Sequence, residues 1–258
     1  MDPKLIQRVK EQLNHFSDKS FESTNQKAVF SEDKILFLDT ILCGSVYMTD
    51  DKKEKYIQAI MFVQTALDIH DFVPIHSIEQ NQIIPRKQMN VLVGDLYSGK
   101  FYEILSNLEN IEFIAVLASA IRSINERKMV IYYSDGHSIN HLVEELKEVE
   151  SALIIHVCQY FNINEYNEVI QNWLLMKRLM MELYTYQKEK KSVVLNLLSQ
   201  RYTEHDVIRM VENMIPRIMI KLEALIHDLP SEVQALKSYL MKELKELSLK
   251  QGILLGEG

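Results

Sequence analysis

Apolar residues recur along the chain at steps of three and four rather than two, the period of a helix face and not of a half-buried strand. Leu5, Val9, Leu13 and Phe16 form such a stripe behind Pro3, a residue tolerated in a first helical turn, and predict an opening helix over residues 3–16. Polar residues 17–25 read as a linker. Segments 32–48 and 52–72 follow, the second introduced by Thr49, Asp50 and Asp51, a cap and an acidic start that suit the positive end of a helix. Pro74 closes it, and a polar loop runs through Ser77–Gln82. Two long helices are expected at 86–107 and 110–130. A third, at 138–160, carries Leu142, Leu146, Val149, Leu153 and Val157 on one face.

The pattern persists to the end of the chain. Trp173, Met176, Met180 and Leu183 mark a helix at 165–189, and a short apolar helix at 191–200 follows the basic run Lys188–Lys191. Thr203 with Asp206 three residues on is a capping pair for a helix from 204, in which Pro216 predicts a kink. Asp228 to Ser231 then turn the chain into a last helix at 232–249. No repeat of fixed period interrupts this series. The expectation is an all-α, single-domain bundle of about ten helices over residues 1–258, with an N-terminal helix and linker at 1–25 and a flexible tail at 250–258.

Composition removes several function classes. The 258 residues include seven Gly and five Pro, and Gly252, Gly256 and Gly258 fall in the last seven positions. Dinucleotide folds and phosphate-binding loops need glycine turns that this chain does not have. Lys and Arg number 29 against 36 Asp and Glu, a net charge of −7, with no long stripe of basic residues interleaved with aromatics, so a nucleic-acid platform is excluded. Cys43 and Cys158 lie in apolar surroundings without CxxC or histidine company, and read as buried thiols in a reducing cytoplasm. The charged, amphipathic N-terminus is unlike a signal segment, and the longest apolar run, Phe113–Ala118, is far too short to span a bilayer. A soluble cytoplasmic protein is expected.

Candidate chemistry concentrates between Thr65 and Leu105. Asp68, His70, Asp71 and His76 cluster near one helix end, and His and Asp together can build a metal site. Their spacing argues against one: His70 and Asp71 point about 100° apart, and Pro74 intervenes before His76. Further on, Gly94 and Asp95 interrupt an apolar helix. A helical glycine costs about 1 kcal/mol relative to alanine, and an aspartate among Val91, Leu92, Val93 and Leu96 must reach solvent or find a partner. Gly94 and Gly99 either serve tight internal packing or let a neighbouring helix approach, with Tyr97 and Phe101 as an aromatic ridge beside them.

These segments, Leu67-Asp68-Ile69-His70-Asp71-Phe72-Val73 followed by Val91-Leu92-Val93-Gly94-Asp95-Leu96-Tyr97, resemble in order and separation the paired LLHDDVxD and VLxGDyLxxxA motifs of all-trans polyprenyl diphosphate synthases. The continuation Ser98, Gly99, Phe101, Tyr102 is similar to the small subunit, component I, of the heterodimeric heptaprenyl and hexaprenyl diphosphate synthases of menaquinone-making bacteria. The motif match covers roughly residues 60–130. The resemblance implies the isoprenoid-synthase helical fold. In that family two Asp-rich clusters hold Mg²⁺ ions that bind the allylic diphosphate and stabilise its departure.

Here the chain departs from the family. The first cluster reads DFVPI, keeping Asp71 but placing Phe72 and Ile75 where carboxylates are expected, and no Asp occurs between Asp135 and Asp206 to supply the second. The early GGKR-like stretch is absent, and the Arg-Arg-Gly that follows the first cluster has only Arg86-Lys87 as its nearest basic pair. The resemblance therefore implies a chain with no catalytic or metal-ligating residue of its own, in which Asp68 and Asp71 are remnants of the first motif. It implies an auxiliary subunit, inactive alone, of a prenyltransferase whose larger partner bears two DDxxD clusters and the Mg²⁺. That pair extends farnesyl diphosphate with isopentenyl diphosphate toward the menaquinone side chain. On the same resemblance, helices 86–107 and 110–130 meet the partner. Gly94, Asp95, Tyr97, Gly99, Phe101 and Tyr102 then mark a subunit interface or product-tunnel wall, with core packing as the other reading for each aromatic and Asp95 as a buried or interfacial hydrogen-bond acceptor. Two further readings of the residues stay open: an independent terpene-cyclase-like enzyme using Asp68, Asp71 and His76, and a helical scaffold with no enzymatic role.

Overall fold

The computed structural model describes residues 3–21, 31–44, 48–71, 84–133, 138–190 and 192–254. Ten α-helices and one 3₁₀ turn occupy them, and among the described residues there is no strand. The helices are α1 (Pro3–Phe21), α2 (Glu32–Cys43), α3 (Asp50–Asp71), α4 (Ile84–Asn107), α5 (Ile111–Tyr133), α6 (Ile139–Phe161), α7 (Asn167–Glu189), α8 (Val193–Ser199), α9 (Glu204–His227) and α10 (Gln234–Leu254), the last entered through the 3₁₀ turn Ser231–Val233. No described helix is long and apolar enough to cross a membrane.

Helix starts follow local chemistry. Thr49, Asn110, Ser138, Ser192 and Thr203 each accept a hydrogen bond from the backbone N–H three residues on, which satisfies one of the donors left open in a first turn. The Thr203 hydroxyl also donates to Asp206 Oδ2 at 2.6 Å, closing the pair expected there. Ends differ more. α1 continues four residues beyond Phe16 and one more, to Phe21, because no Gly or Pro stops it. α2 ends at Cys43 rather than 48, where the Gly44 N–H turns back to the carbonyls of Ile41 and Leu42. α9 runs through Pro216 without a break, and α10 extends to Leu254.

The chain divides into two compact units: Met1–Ile121 with His156–Ile163, and Arg122–Ile155 with Asn164–Gly258. In the first, α3 is the central helix. From Tyr56 to Leu67 it buries every residue but Gln64, because α1, α2 and above all α4 pack around it. α1 contributes Leu5, Val9 and Leu13, the face its spacing predicts. An aromatic cluster of Tyr56, Phe113, Tyr160 and Phe161 is tied by Asn110, whose amide donates to the Tyr56 hydroxyl at 2.6 Å. In the second unit α7 is central, with α8 and α9 against it and α10 on α9. Trp173, Met176 and Leu179 are fully enclosed there.

Candidate functional site

α4 has two apolar stripes. Val93, Tyr97, Phe101 and Leu105 recur every fourth residue and are buried against the rest of the first unit. The Tyr97 ring packs on Phe62 of α3 with centroids 5.6 Å apart, and its hydroxyl donates to the Leu13 carbonyl of α1 at 3.3 Å. Phe101 lies beside Tyr102, with ring centroids 4.1 Å apart. Burial of these four side chains contributes about 1.5–3 kcal/mol each. Tyr97 and Phe101 are thus core residues of this chain.

The second stripe points the other way. Met89, Leu92, Leu96 and Gly99 follow one another at steps of three, four and three, so they share a face turned from the core. Leu92 is 62 % and Leu96 44 % exposed, and Tyr102 beside them is 48 % exposed. Among the described residues, a Cβ placed on Gly99 would meet nothing within 4 Å. Gly99 therefore serves no packing among the described residues, and leaves a shallow notch in an apolar ridge. At the start of α5, Ile111 is 80 % exposed, and Ala115 and Ala118 continue its outward face. The sequence pattern gives Val91, Leu92, Val93 and Leu96 as apolar neighbours of Asp95 without assigning them to one face or another. Only the helical phase, measured against a known core, separates Val93 from Leu92.

Gly94 behaves differently from Gly99. It faces α3, and a Cβ there would fall 2.4 Å from His70 Cε1 and 2.6 Å from Nε2. Close helix approach is why this position is glycine. Of the settings expected for Asp95, the buried one is not found within this chain: its side chain reaches solvent, 67 % exposed, with Oδ1 3.9 Å from His70 Nε2. One step past Gly94 on a helix turns the side chain about 100°, out of the contact with α3.

Of the remnant acidic motif, Asp68 Oδ1 accepts from Gln64 Nε2 at 2.7 Å, and Asp71 is the exposed last residue of α3. Phe72, Pro74, Ile75 and His76 lie outside the described residues, as does the loop Ser77–Gln82. Among the described residues no three His, Cys, Asp or Glu side chains converge in a way that fits a metal ion.

Cys43 corrects a further expectation. Cys158 is buried, but Cys43 is exposed at the end of α2, where its sulfur accepts from Lys53 Nζ at 3.3 Å. Lys53 also reaches Asp39 Oδ1 at 3.0 Å, with side chains only 12 % and 6 % exposed. Burial pulls the Lys53 ammonium downward, yet the hydrogen bonds and charges of Asp39 and Cys43 outweigh it and hold the amine above the ordinary lysine range. Nothing in the spacing of these three residues announces the cluster, which exists only once α2 and α3 pack.

A family model described as heptaprenyl diphosphate synthase subunit 1 matches residues 20–229. The chain belongs to that family. A curated relative, heptaprenyl diphosphate synthase component 1 of Geobacillus stearothermophilus, is 32 % identical over 147 residues, which cover 57 % of this chain and 65 % of that protein. The matched region thus spans less than two thirds of the relative's length. Among solved structures, the fold is similar to a geranylgeranyl pyrophosphate synthase from Lactobacillus brevis, with TM-score 0.61 and 13 % identity over 94 % of this chain and 96 % of that one. It is also similar to the heptaprenyl diphosphate synthase of Staphylococcus aureus, with TM-score 0.52 and 15 % identity over 81 % and 98 %. These structural likenesses establish the all-α polyprenyl-synthase fold for this heptaprenyl diphosphate synthase subunit 1 family member.

Proposed function

We propose that this chain is the auxiliary subunit of a heterodimeric all-trans polyprenyl diphosphate synthase. Its partner is a larger chain with two Asp-rich clusters that hold Mg²⁺, and the pair extends farnesyl diphosphate with isopentenyl diphosphate to a hexaprenyl- or heptaprenyl-length product for menaquinone. The cation-holding work falls to the partner, because the first motif here has Phe72 and Ile75 where carboxylates are expected and so supplies too few oxygen ligands for several divalent ions and a diphosphate. This subunit stabilises the catalytic chain and helps set product length.

The observation that carries the reading is the outward face of α4. A stripe of Met89, Leu92 and Leu96 beside a glycine open to solvent costs the isolated chain helix stability and solubility, and it suits a partner helix laid against the notch at Gly99. Tyr102 and the small outward residues of α5 extend the same apolar character. Tyr97 and Phe101 act behind this face by fixing the position of α4 on α1 and α3.

The test is reconstitution. This chain and its cognate large chain are expressed separately and together, and Mg²⁺-dependent incorporation of isopentenyl diphosphate is measured. The reading requires turnover by the pair, copurification of the two chains, and at most trace turnover by this chain alone. Full activity of this chain by itself would overturn it.

A further inference from the structure

α4 carries a single charge in the middle of its apolar outward face. From Gln88 to Gly99 every residue is uncharged except Asp95. Val91, Leu92 and Leu96 surround it and are all exposed, as is Gly99 one turn further on. Asp95 and Glu103 stand one turn before and one turn after Gly99, each about 6 Å along the axis and within about 40° of its direction. Both carboxylates therefore border the notch. Glu103 is already held by Lys100, whose Nζ lies 2.7 Å from Oε2. Among the described residues no lysine or arginine pairs with Asp95. His70 Nε2 on α3, at 3.9 Å, is beyond hydrogen-bond distance, and the residue after it is another exposed acid, Asp71.

We propose, resting on the heterodimer reading above, that Asp95 selects the partner: it keeps a second copy of this chain off the α4 face and admits a helix of the larger chain that presents an arginine or lysine to it. A helix laid across Gly99 takes Asp95 out of water. A carboxylate so enclosed is tolerated only where a cation with hydrogen-bond donors replaces its hydration. A second copy does not supply one. In a two-fold pair both chains bring the same patch, and the nearest basic residue on α4 is Lys100, in its ion pair with Glu103. Two Asp95 carboxylates are then left near the crossing with no cation to offset them. A partner with a basic side chain at that point has the opposite sign and supplies the missing donors, an arginine fork doing so with two parallel bonds. A lone polar residue in a coiled-coil seam chooses its partner in the same way. In the isolated chain the carboxylate reaches water and interrupts an apolar stripe that otherwise continues from Met89 to Tyr102.

The experiment compares the full wild-type chain with D95L, D95N and D95R. Sedimentation velocity of each chain alone reads self-association, and titration with the cognate large chain reads pairing. The thermal unfolding midpoint is retained in all three variants because the side chain is exposed. D95L is expected to self-associate at least about tenfold more tightly than the wild type. Pairing with the large chain weakens about tenfold in D95N, which keeps the shape and loses the charge, and at least about a hundredfold in D95R. The association rate of the wild-type pair falls between about 0.1 M and 0.5 M salt, and that of D95N changes less. A wild-type chain that self-associates as tightly as D95L, or a D95R chain that pairs with the large chain as tightly as the wild type, would overturn the proposal and leave the heterodimer reading standing. No pairing of the wild type with the large chain would overturn that reading, and the proposal with it.

Discussion

The imidazole of His70 occupies the space in which any residue but glycine at position 94 would carry its Cβ, with Cε1 2.4 Å from that point. α3 and α4 approach closely there because one side contributes a flat ring and the other no side chain. Alanine at 94 removes backbone freedom from the unfolded chain, worth about 0.5–1 kcal/mol, but forces the His70 ring off its rotamer and out of contact. Gly94→Ala is therefore expected to destabilise the native protein by about 1 kcal/mol, and to stabilise a His70→Ala background by a similar amount. Denaturant unfolding of the four proteins measures this coupling. Equal effects in both backgrounds would show that His70 is not the obstacle. The His70–Asp95 approach adds little, since both groups are well exposed.

Gly99 gives the opposite expectation. With open space around it, Gly99→Ala in the isolated chain gains about 0.5–1 kcal/mol of stability. In the complex the same substitution fills the notch in which a partner helix would sit, and weakens association by about tenfold. Leu92→Glu with Leu96→Glu leaves the isolated chain's stability within about 0.5 kcal/mol and abolishes copurification. Unfolding curves and pull-down yields read the two effects separately. A destabilised isolated G99A chain, or pairing unaffected by either substitution, would remove α4 from the interface.

These two glycines show where sequence reasoning reaches its limit. Helix existence was legible throughout, because caps such as Thr49 and Thr203 and stripes such as Leu5–Val9–Leu13 act over a single turn. The end of α2 was not: the apolar run continues past Cys43, and Gly44 sits against Ile163, a residue distant in sequence, whose Cδ1 lies 3.3 Å from the Cβ position. α4 is apolar on two sides, and periodicity alone does not say which stripe faces this chain's own core. Val93 and Leu92 are alike in chemistry, yet the step of about 100° between them puts one in the core and leaves the other 62 % exposed. The setting of Asp95 stays open between solvent, core and interface for the same reason, and the buried setting expected for Cys43 rests on flanking residues that point elsewhere.

Lys53 links stability to alkaline pH. Its amine is held above its ordinary value of 10.5 in the folded chain by Asp39 and Cys43 despite the opposing effect of burial. A raised folded-state value means that the unfolded chain loses the proton first as pH rises. The contribution is therefore complete below about pH 10.5 and declines above it, toward the folded-state value. Replacing Lys53 with Met leaves Asp39, 6 % exposed, without its cation, and is expected to cost about 1–3 kcal/mol at pH 8. Unfolding free energies of both proteins between pH 8 and pH 11 test the sign: the gap between wild type and Lys53→Met must narrow at the top of this range. A gap that widens with pH would contradict the assignment.

In the second unit, one guanidinium holds three helices in register. Arg178 of α7 donates through Nε to Glu182 Oε1 at 2.7 Å and through Nη1 to Glu150 Oε1 of α6 at 2.7 Å, with side chains 24 %, 5 % and 16 % exposed. The other Glu182 oxygen accepts from the Ser192 hydroxyl, which itself accepts from Leu195 N at 3.0 Å and so starts α8. Removing one member of such a network leaves its partners buried and charged, whereas removing all the charges does not. Arg178→Ala is expected to lower stability by about 3–5 kcal/mol. The triple variant Arg178→Met, Glu150→Leu, Glu182→Leu recovers at least about 2 kcal/mol of that loss, because no unpaired carboxylate remains. Ser192→Ala costs about 1–2 kcal/mol, the loss of a helix cap together with a hydrogen bond to a charged group. Chemical denaturation followed by circular dichroism separates the three variants. An Arg178→Ala chain as stable as the wild type, or a triple variant less stable than the single one, would show that the helices are held by their apolar contacts and that the network contributes nothing to their register.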